Sequence, residues 1–206
     1  MLASEVMKDE MEYCATMSER RADEQIIESC QRGDRDAFRH LFETHKDKIY
    51  SIALYFFSGD EALAGDVTQQ VFLKLFTKIG QFRNESEFST WLHRLAVNEC
   101  LDEQRKRRRF LSFDEAFDVR EPRDRRSQED FVGRGEISDS VQAAIATLKP
   151  KLRIAILLKY FDELSYEEIA LALNCSKGTV ASRLNRGHKI LARRLGHLRH
   201  TFIRGE

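Results

Sequence analysis

Residues 164–195 read LSYEEIALALNCSKGTVASRLNRGHKILARRL, and their pattern decides the fold. Ser165 with Glu168 three residues on is a capping box: the hydroxyl accepts from the N3 amide while the carboxylate reaches back to the cap. The helix it opens, Tyr166 to Leu173, is predicted to stop at Asn174-Cys175-Ser176. A longer helix then starts near Lys177 and runs to about Leu195. A short helix, a tight turn and a longer basic helix make a helix-turn-helix. At about 100° per residue, Val180, Leu184, Gly187, Leu191 and Leu195 share the face that packs on the preceding helix. Ser182, Asn185, Arg186, Lys189 and Arg193 point the opposite way, with Arg183 on the flank. From Asn174 to Arg204 the chain carries 8 Lys+Arg and no acid. An ordinary amphipathic helix also has a solvated face, but such faces mix signs. A face that meets DNA accounts better for the bias. Arg pairs bidentately with guanine and Asn or Ser bonds base edges, whereas Lys and a helix N-terminus suit phosphates.

Upstream of this motif the helical period persists. One helix is predicted from about Ser138 to Leu148, stopping near Pro150, and another from Leu152 to Phe161. Before them, Ser112 to Gly135 is charge-rich, holds Pro122, Gly133 and Gly135, and has no sustained period, which reads as a linker. Further upstream, Phe38, Leu41, Phe42, Ile49, Ile52, Ala53 and Phe56 form one apolar stripe. Leu63, Val67, Val71, Phe72, Leu75, Phe76 and Ile79 form a second, after the break at Ser58-Gly59-Asp60. A third helix runs from about Ser89 into Arg105-Lys106-Arg107-Arg108-Arg109. These helices suffice for one small core. Residues 1 to about 22 read as a loose extension in which Met17 is an alternative start.

The expected fold is therefore all-α: two small helical domains joined by a flexible linker, the C-terminal one a helix-turn-helix. The segments are 1–22 (extension), 23–111 (first domain), 112–135 (linker) and 136–206 (second domain). Composition agrees. Of 206 residues only 2 are Pro and 10 Gly, few breakers for a sandwich or barrel. The zero net charge conceals an asymmetry: residues 1–104 sum to −8 and residues 105–206 to +8. An acidic half and a basic half point to two kinds of partner.

On the third helix, Trp91, Arg94, Asn98, Arg105 and Arg109 fall on one side. Aromatics with cations suit unstacked bases and single strands. On spacing alone, Trp91 serves equally well as a core residue, and Asp102 on the same side dilutes the positive face. Other chemistry finds no support. Cys14, Cys30, Cys100 and Cys175 are isolated, without paired spacing for zinc or redox work, and fit packing or surface positions in a reducing cytoplasm. The six histidines lack metal spacing with a carboxylate partner, and no phosphate-cradling Gly loop or nucleophile elbow occurs. No catalytic set, metal or cofactor is expected, nor is a membrane span or secretory signal.

Asp66-Val67-Thr68-Gln69-Gln70-Val71-Phe72, Phe88 to Asn98, Leu164 to Ala170 and Gly178 to Leu184 together resemble the extracytoplasmic-function group of bacterial RNA polymerase sigma factors, and the resemblance spans about Glu24 to Leu195. It implies that the first domain binds core RNA polymerase through Asp66, Gln69, Gln70 and Leu73. It further implies that Trp91, Arg94, Asn98 and Arg105 act in opening and reading the −10 element. Asn98 would line the pocket for an extruded base, and the loop Phe82 to Thr90 would shape that pocket. The second domain would read −35 duplex through Lys177, Thr179, Ser182, Arg183, Asn185, Arg186 and Lys189. Promoter DNA, core polymerase and an anti-sigma factor are the implied partners. Gln70 stands where the family usually has Glu, and Ala181 where a basic residue is common. Each departure removes one charged contact.

The two implied promoter elements lie a turn and a half apart, roughly 50 Å. A linker of about 24 residues reaches roughly 80 Å extended but spans only about 27 Å relaxed.

Overall fold

The structure is a computed structural model that describes residues 24–114 and 134–196. The described residues are helical and contain no strand. Helix α1 covers residues 24–31. It is followed by α2 (Arg35–Phe56), α3 (Glu61–Lys78), a 3-10 turn (Ile79–Gln81) and α4 (Phe88–Asp114). The second group is α5 (Arg134–Ala146), α6 (Pro150–Tyr160), α7 (Tyr166–Ala172) and α8 (Lys177–Arg194). Residues 1–22, most of the predicted linker, Cys14, His197 and His200 lie outside the described residues.

Short polar residues start the helices. The Asp34 carboxylate accepts from the Asp36 and Ala37 amides, and that of Asp60 from the Leu63 amide. Such caps satisfy donors that have no partner inside the helix. Between α2 and α3 the chain reverses through Ser58 (φ 61°) and Gly59 (φ 85°), a left-handed pair that ends α2. The helix predicted to stop near Pro150 ends at Ala146, and Pro150 itself begins α6, ahead of the predicted start at Leu152. There its missing N–H costs nothing. The predicted linker is also shorter at both ends, since α4 continues to Asp114 and α5 begins at Arg134.

The first domain packs α2, α3 and α4 on one another around Leu41, Ile49, Ile52, Phe56, Val71, Leu75 and Leu92, all nearly inaccessible. Helix α1, which the apolar stripes did not reveal, buries Ile27 and Cys30 there. It is tied down by Gln31, whose side-chain amide donates to the Ile79 and Phe82 carbonyls, each at 3.0 Å. In the second domain α6 is the hub. Ile154, Ala155, Ile156, Leu157 and Leu158 are all buried, and α7 and α8 pack on them together with α2 and α4 of the first domain. Gly187 permits the approach of α8: a Cβ there would lie 2.9 Å from Cγ1 of Ile156. The two domains also pack on each other, α2 against α6 and α4 against α7, and their buried side chains form one continuous cluster.

Candidate nucleic-acid interface

The helix-turn-helix is built from its caps. Ser165 Oγ accepts from the Glu168 amide at 3.2 Å, and Glu168 accepts from the Ser165 amide at 2.7 Å. These bonds favour the ionised Glu168 carboxylate and hold its pKa below the ordinary value. The box is therefore intact at neutral pH and weakens as acid protonates Glu168. The turn, residues 173–176, passes through Asn174 at φ 47°, a conformation Asn tolerates. Ser176 then caps α8 by accepting from the Thr179 amide at 3.2 Å.

Along α8 the predicted division of faces holds for most positions. Val180, Leu184 and Gly187 are buried, and Ile190 and Leu191 half-buried. Ser182, Asn185, Arg186, Lys189 and Arg193 are exposed, and Arg183 is half-buried. Arg186, Asn185 and Lys189 engage no hydrogen bond or ion pair among the described residues, so their polar groups are open to a ligand. Others are partly engaged. Lys177 pairs with Glu167 at 2.6 Å, Ser182 donates to the Thr179 carbonyl at 3.0 Å, and Thr179 Oγ1 meets Ser176 Oγ at 3.0 Å. Ala181 leaves the expected gap in the basic face.

On α4 the candidates divide. Trp91 is half-buried, its ring 5.2 Å from Phe82 and 6.2 Å from Phe88, so much of it serves the core. Arg94 and Asn98 are exposed, and Asn98 makes no side-chain hydrogen bond among the described residues. Arg105 is exposed but bound to Asp102 at 2.7 Å, the acid that diluted this face in the sequence. Arg107 reaches Asp60 at 3.3 Å and Lys106 reaches Glu103 at 3.1 Å. The loop after the 3-10 turn encloses a cavity of about 190 Å³ lined by Phe82, Asn84, Ser86, Phe88 and Ser89 with His45 of α2. Asn98 does not line it. About 14 Å of helix separates Ser89 from Asn98.

A third surface runs along α3. Asp66, Gln69, Gln70 and Leu73 are all exposed at i, i+3, i+4 and i+7, one stripe of the helix. Phe76 extends it. The apolar pattern assigned Phe76 to the core, yet it is 57 % exposed, beside Leu73 at 52 %. Its ring meets Phe38 edge-on at 5.1 Å, and the rest faces outward. Periodicity alone could not separate Phe76 from Leu75, because adjacent residues at the rim of a stripe differ by one step of rotation.

Cys30 and Cys100 are buried thiols, and Cys175 is half-buried. Burial pushes the Cys100 thiol up to about 12, which keeps it un-ionised and inert. Among the described residues no three His, Cys, Asp or Glu side chains converge to hold a metal, and no helix is long and apolar enough to cross a membrane.

Comparison with known proteins matches both halves. Residues 41–110 fit the family model described as Sigma-70 region 2, and residues 138–191 fit that described as Sigma-70, region 4. The chain is 36% identical over 180 residues to the ECF RNA polymerase sigma factor SigW of Bacillus subtilis, covering 84% of this chain and 96% of that one. It is 34% identical over 190 residues to the ECF RNA polymerase sigma-E factor of Escherichia coli, covering 85% and 95%. Among solved structures, CnrH in complex with the cytosolic domain of CnrY superposes with a TM-score of 0.64 at 21% identity, covering 85% of this chain and 98% of that one. The sigma factor RpoE of Bartonella quintana, solved with the anti-sigma factor NepR, gives 0.62 at 22%, covering 77% and 96%.

Proposed function

The chain belongs to the extracytoplasmic-function group of sigma-70 RNA polymerase sigma factors, and on that footing we propose how its own surfaces divide the work. It binds core RNA polymerase and directs promoter-specific initiation without catalysis of its own. The exposed stripe Asp66, Gln69, Gln70 and Leu73 on α3 meets the polymerase, with Phe76 enlarging its apolar part. The face of α4 carrying Arg94 and Asn98 takes the −10 element as it opens, with Trp91 at its root and Arg105 further along. Helix α8 enters the major groove at −35. There Ser182, Arg183, Asn185 and Arg186 address base edges, and Lys177, Thr179 and Lys189 address the backbone.

One observation carries this reading: each surface sits on a different helix, in the order region 2 then region 4, with its polar groups turned outward. The chemistry suits the two tasks. Duplex displays a distinguishable edge pattern in its major groove, so −35 needs no melting. Watson–Crick edges at −10 are hidden until a base leaves the stack, which costs a few kcal/mol. Exposed polar groups on a rigid helix offset part of that cost by binding the extruded base. The acidic half of the chain carries the polymerase stripe and most of the −10 face, and the basic half reads −35 duplex, in the cytoplasm, and an anti-sigma factor masks these surfaces when transcription is not required.

Arg186→Ala is the test of the α8 assignment. Binding of the holoenzyme to −35 duplex is expected to weaken by about 1–3 kcal/mol, with preference relaxed at one base pair. A uniform loss on all duplex sequences would instead assign Arg186 to phosphate. A plain DNA-binding regulator would use α8 in the same way, but it needs no exposed stripe on α3. Co-elution of the full chain with core polymerase separates the two.

A further inference from the structure

Between the C-terminal part of α4 and the exposed side of α8, with the first turn of α6 also lining it, lies a cleft of about 760 Å³. Its charge is one-sided. Arg108 of α4, Lys149 and Lys151 at the start of α6, and Arg186, Lys189 and Arg193 of α8 line it, and none of the described residues in its lining is acidic. These six cations are exposed, and none makes a side-chain hydrogen bond or ion pair among the described residues. Arg105 and Arg183 line it too but are already engaged, with Asp102 at 2.7 Å and with Sγ of Cys175 at 3.6 Å. Elsewhere on α4 the cations are matched, Lys106 by Glu103 and Arg107 by Asp60.

A single unpaired cation on a convex surface needs no explanation, since exposed ion pairs contribute little. Cations of one sign on the walls of one concavity are different. Their low-dielectric surroundings focus the field and concentrate counter-ions there. The first turn of α6 adds to it: Lys149 precedes the helix without a side-chain cap, and Pro150 and Lys151 present the positive end of its dipole. A polyanion neutralises such a field, and a monoanion does not.

The lining is not charge alone. Leu101, Leu152 and Ile190 are half-buried and enter the cleft beside Gln104 and Thr147. An inorganic anion would leave these apolar side chains wet. A ligand with a ring system covers them, and guanidinium groups stack on planar rings as well as bind phosphate. The Gln104 amide, unpartnered among the described residues, can both donate to and accept from a heterocycle edge. The volume falls within the range of small-molecule sites, roughly 300–1,000 Å³.

We propose that this cleft is a binding site for a nucleoside polyphosphate, its phosphates held among Arg108, Lys149, Lys151 and Arg186 and its base against Leu101, Leu152 and Ile190. The site stands on the lining of the cleft. Its consequence rests on the function proposed above: Arg186 and Lys189 are assigned to −35 duplex, so ligand and duplex compete for them.

Isothermal titration calorimetry on the full chain tests it. The probes are ATP, inorganic tripolyphosphate and adenosine, in magnesium-free buffer at about 0.15 M salt, where the Debye length is about 8 Å and loose charge pairing is screened. ATP is expected to bind at a single site, at least about tenfold more tightly than tripolyphosphate, with adenosine the weakest. Lys149→Gln with Lys151→Gln, and separately Arg108→Gln, are each expected to weaken ATP binding at least about tenfold. These side chains are exposed and unpartnered among the described residues, so the fold does not depend on them, and unaltered circular dichroism checks that. Equal affinity for ATP and tripolyphosphate overturns the ligand class, leaving a basic surface only. ATP affinity unchanged in either variant overturns the site, because both walls of the cleft must contribute. The outcomes for site and function are distinct. A chain that binds ATP in this way but directs no promoter-specific initiation keeps the site and rejects the function. A transcription-competent chain that binds no ATP does the reverse.

Discussion

Leu73→Asp is expected to weaken binding of the chain to core RNA polymerase by more than about 30-fold, or roughly 2 kcal/mol, and to silence transcription accordingly. Leu73 and Phe76 are large, apolar and more than half exposed on adjacent turns of α3. Single exposed apolar residues are common, but neighbours flanked by a polar rim mark a contact surface. Asp66, Gln69 and Gln70 supply that rim. A carboxylate at position 73 would lose the apolar contact and take a charge into a desolvated interface. Since Leu73 packs little against its own domain, the thermal stability of the variant is expected to match wild type. Competition binding against a labelled wild-type chain checks the affinity. An unaltered affinity would move the polymerase contact off this stripe.

Asn98→Ala is expected to slow promoter opening about 10- to 100-fold, the range for losing paired hydrogen bonds to one base edge, about 1–3 kcal/mol. Asn98 is exposed on α4, and its amide has no partner among the described residues, so the variant removes nothing from the fold. Polymerase affinity and −35 binding are expected to remain at wild-type values, because those surfaces lie on α3 and α8. Opening kinetics with a fluorescent base analogue at −10 report the effect. Normal opening would remove Asn98 from the machinery, and an equal fall in polymerase affinity would show it to act elsewhere. The cavity within the loop Phe82 to Thr90 is separate from Asn98. On the proposed reading an extruded base would meet Asn98 on the helix surface and not in that cavity.

Much of the architecture was legible because local signals agreed. Ser165 with Glu168, Asn174 in the turn and the Val180–Leu184–Gly187 face all have causes within a few residues, and each occurs where the spacing places it. Signals that depend on distant partners were not legible. Arg153 looks like a surface cation in an apolar helix; only the meeting of the C-terminal ends of α2 and α5 explains its burial. His93 sits within the segment that resembles the melting motif, yet its partner Asp162 is 69 residues away in sequence. Helix α1 was missed because its apolar residues, Ile26, Ile27 and Cys30, are too few to show a period, and a side chain 48 residues from its partner, Gln31, fixes it. Trp91 illustrates a limit of a different kind. A half-buried aromatic at the rim of a core satisfies both the packing and the nucleic-acid reading, and one helical wheel cannot divide them.

The site assignments differ in how they stand. Arg186, Asn185 and Lys189 are free on the exposed face of α8, as base and backbone contacts require. Lys177 and Arg105 are held by Glu167 and Asp102, so the proposed DNA contacts require them to exchange those partners. Both pairs are solvent-exposed, where an ion pair contributes only about 0–1 kcal/mol, so the exchange costs little.

Permanganate footprinting on a promoter template, with core RNA polymerase and with or without this chain, probes the central claim most directly. Thymines near −10 are expected to become reactive only when the chain is present, while the −35 segment stays duplex and protected and transcripts start at one fixed distance downstream. Bound polymerase with no chain-dependent thymine reactivity and no fixed start would contradict a factor that grips one element paired and the other opened.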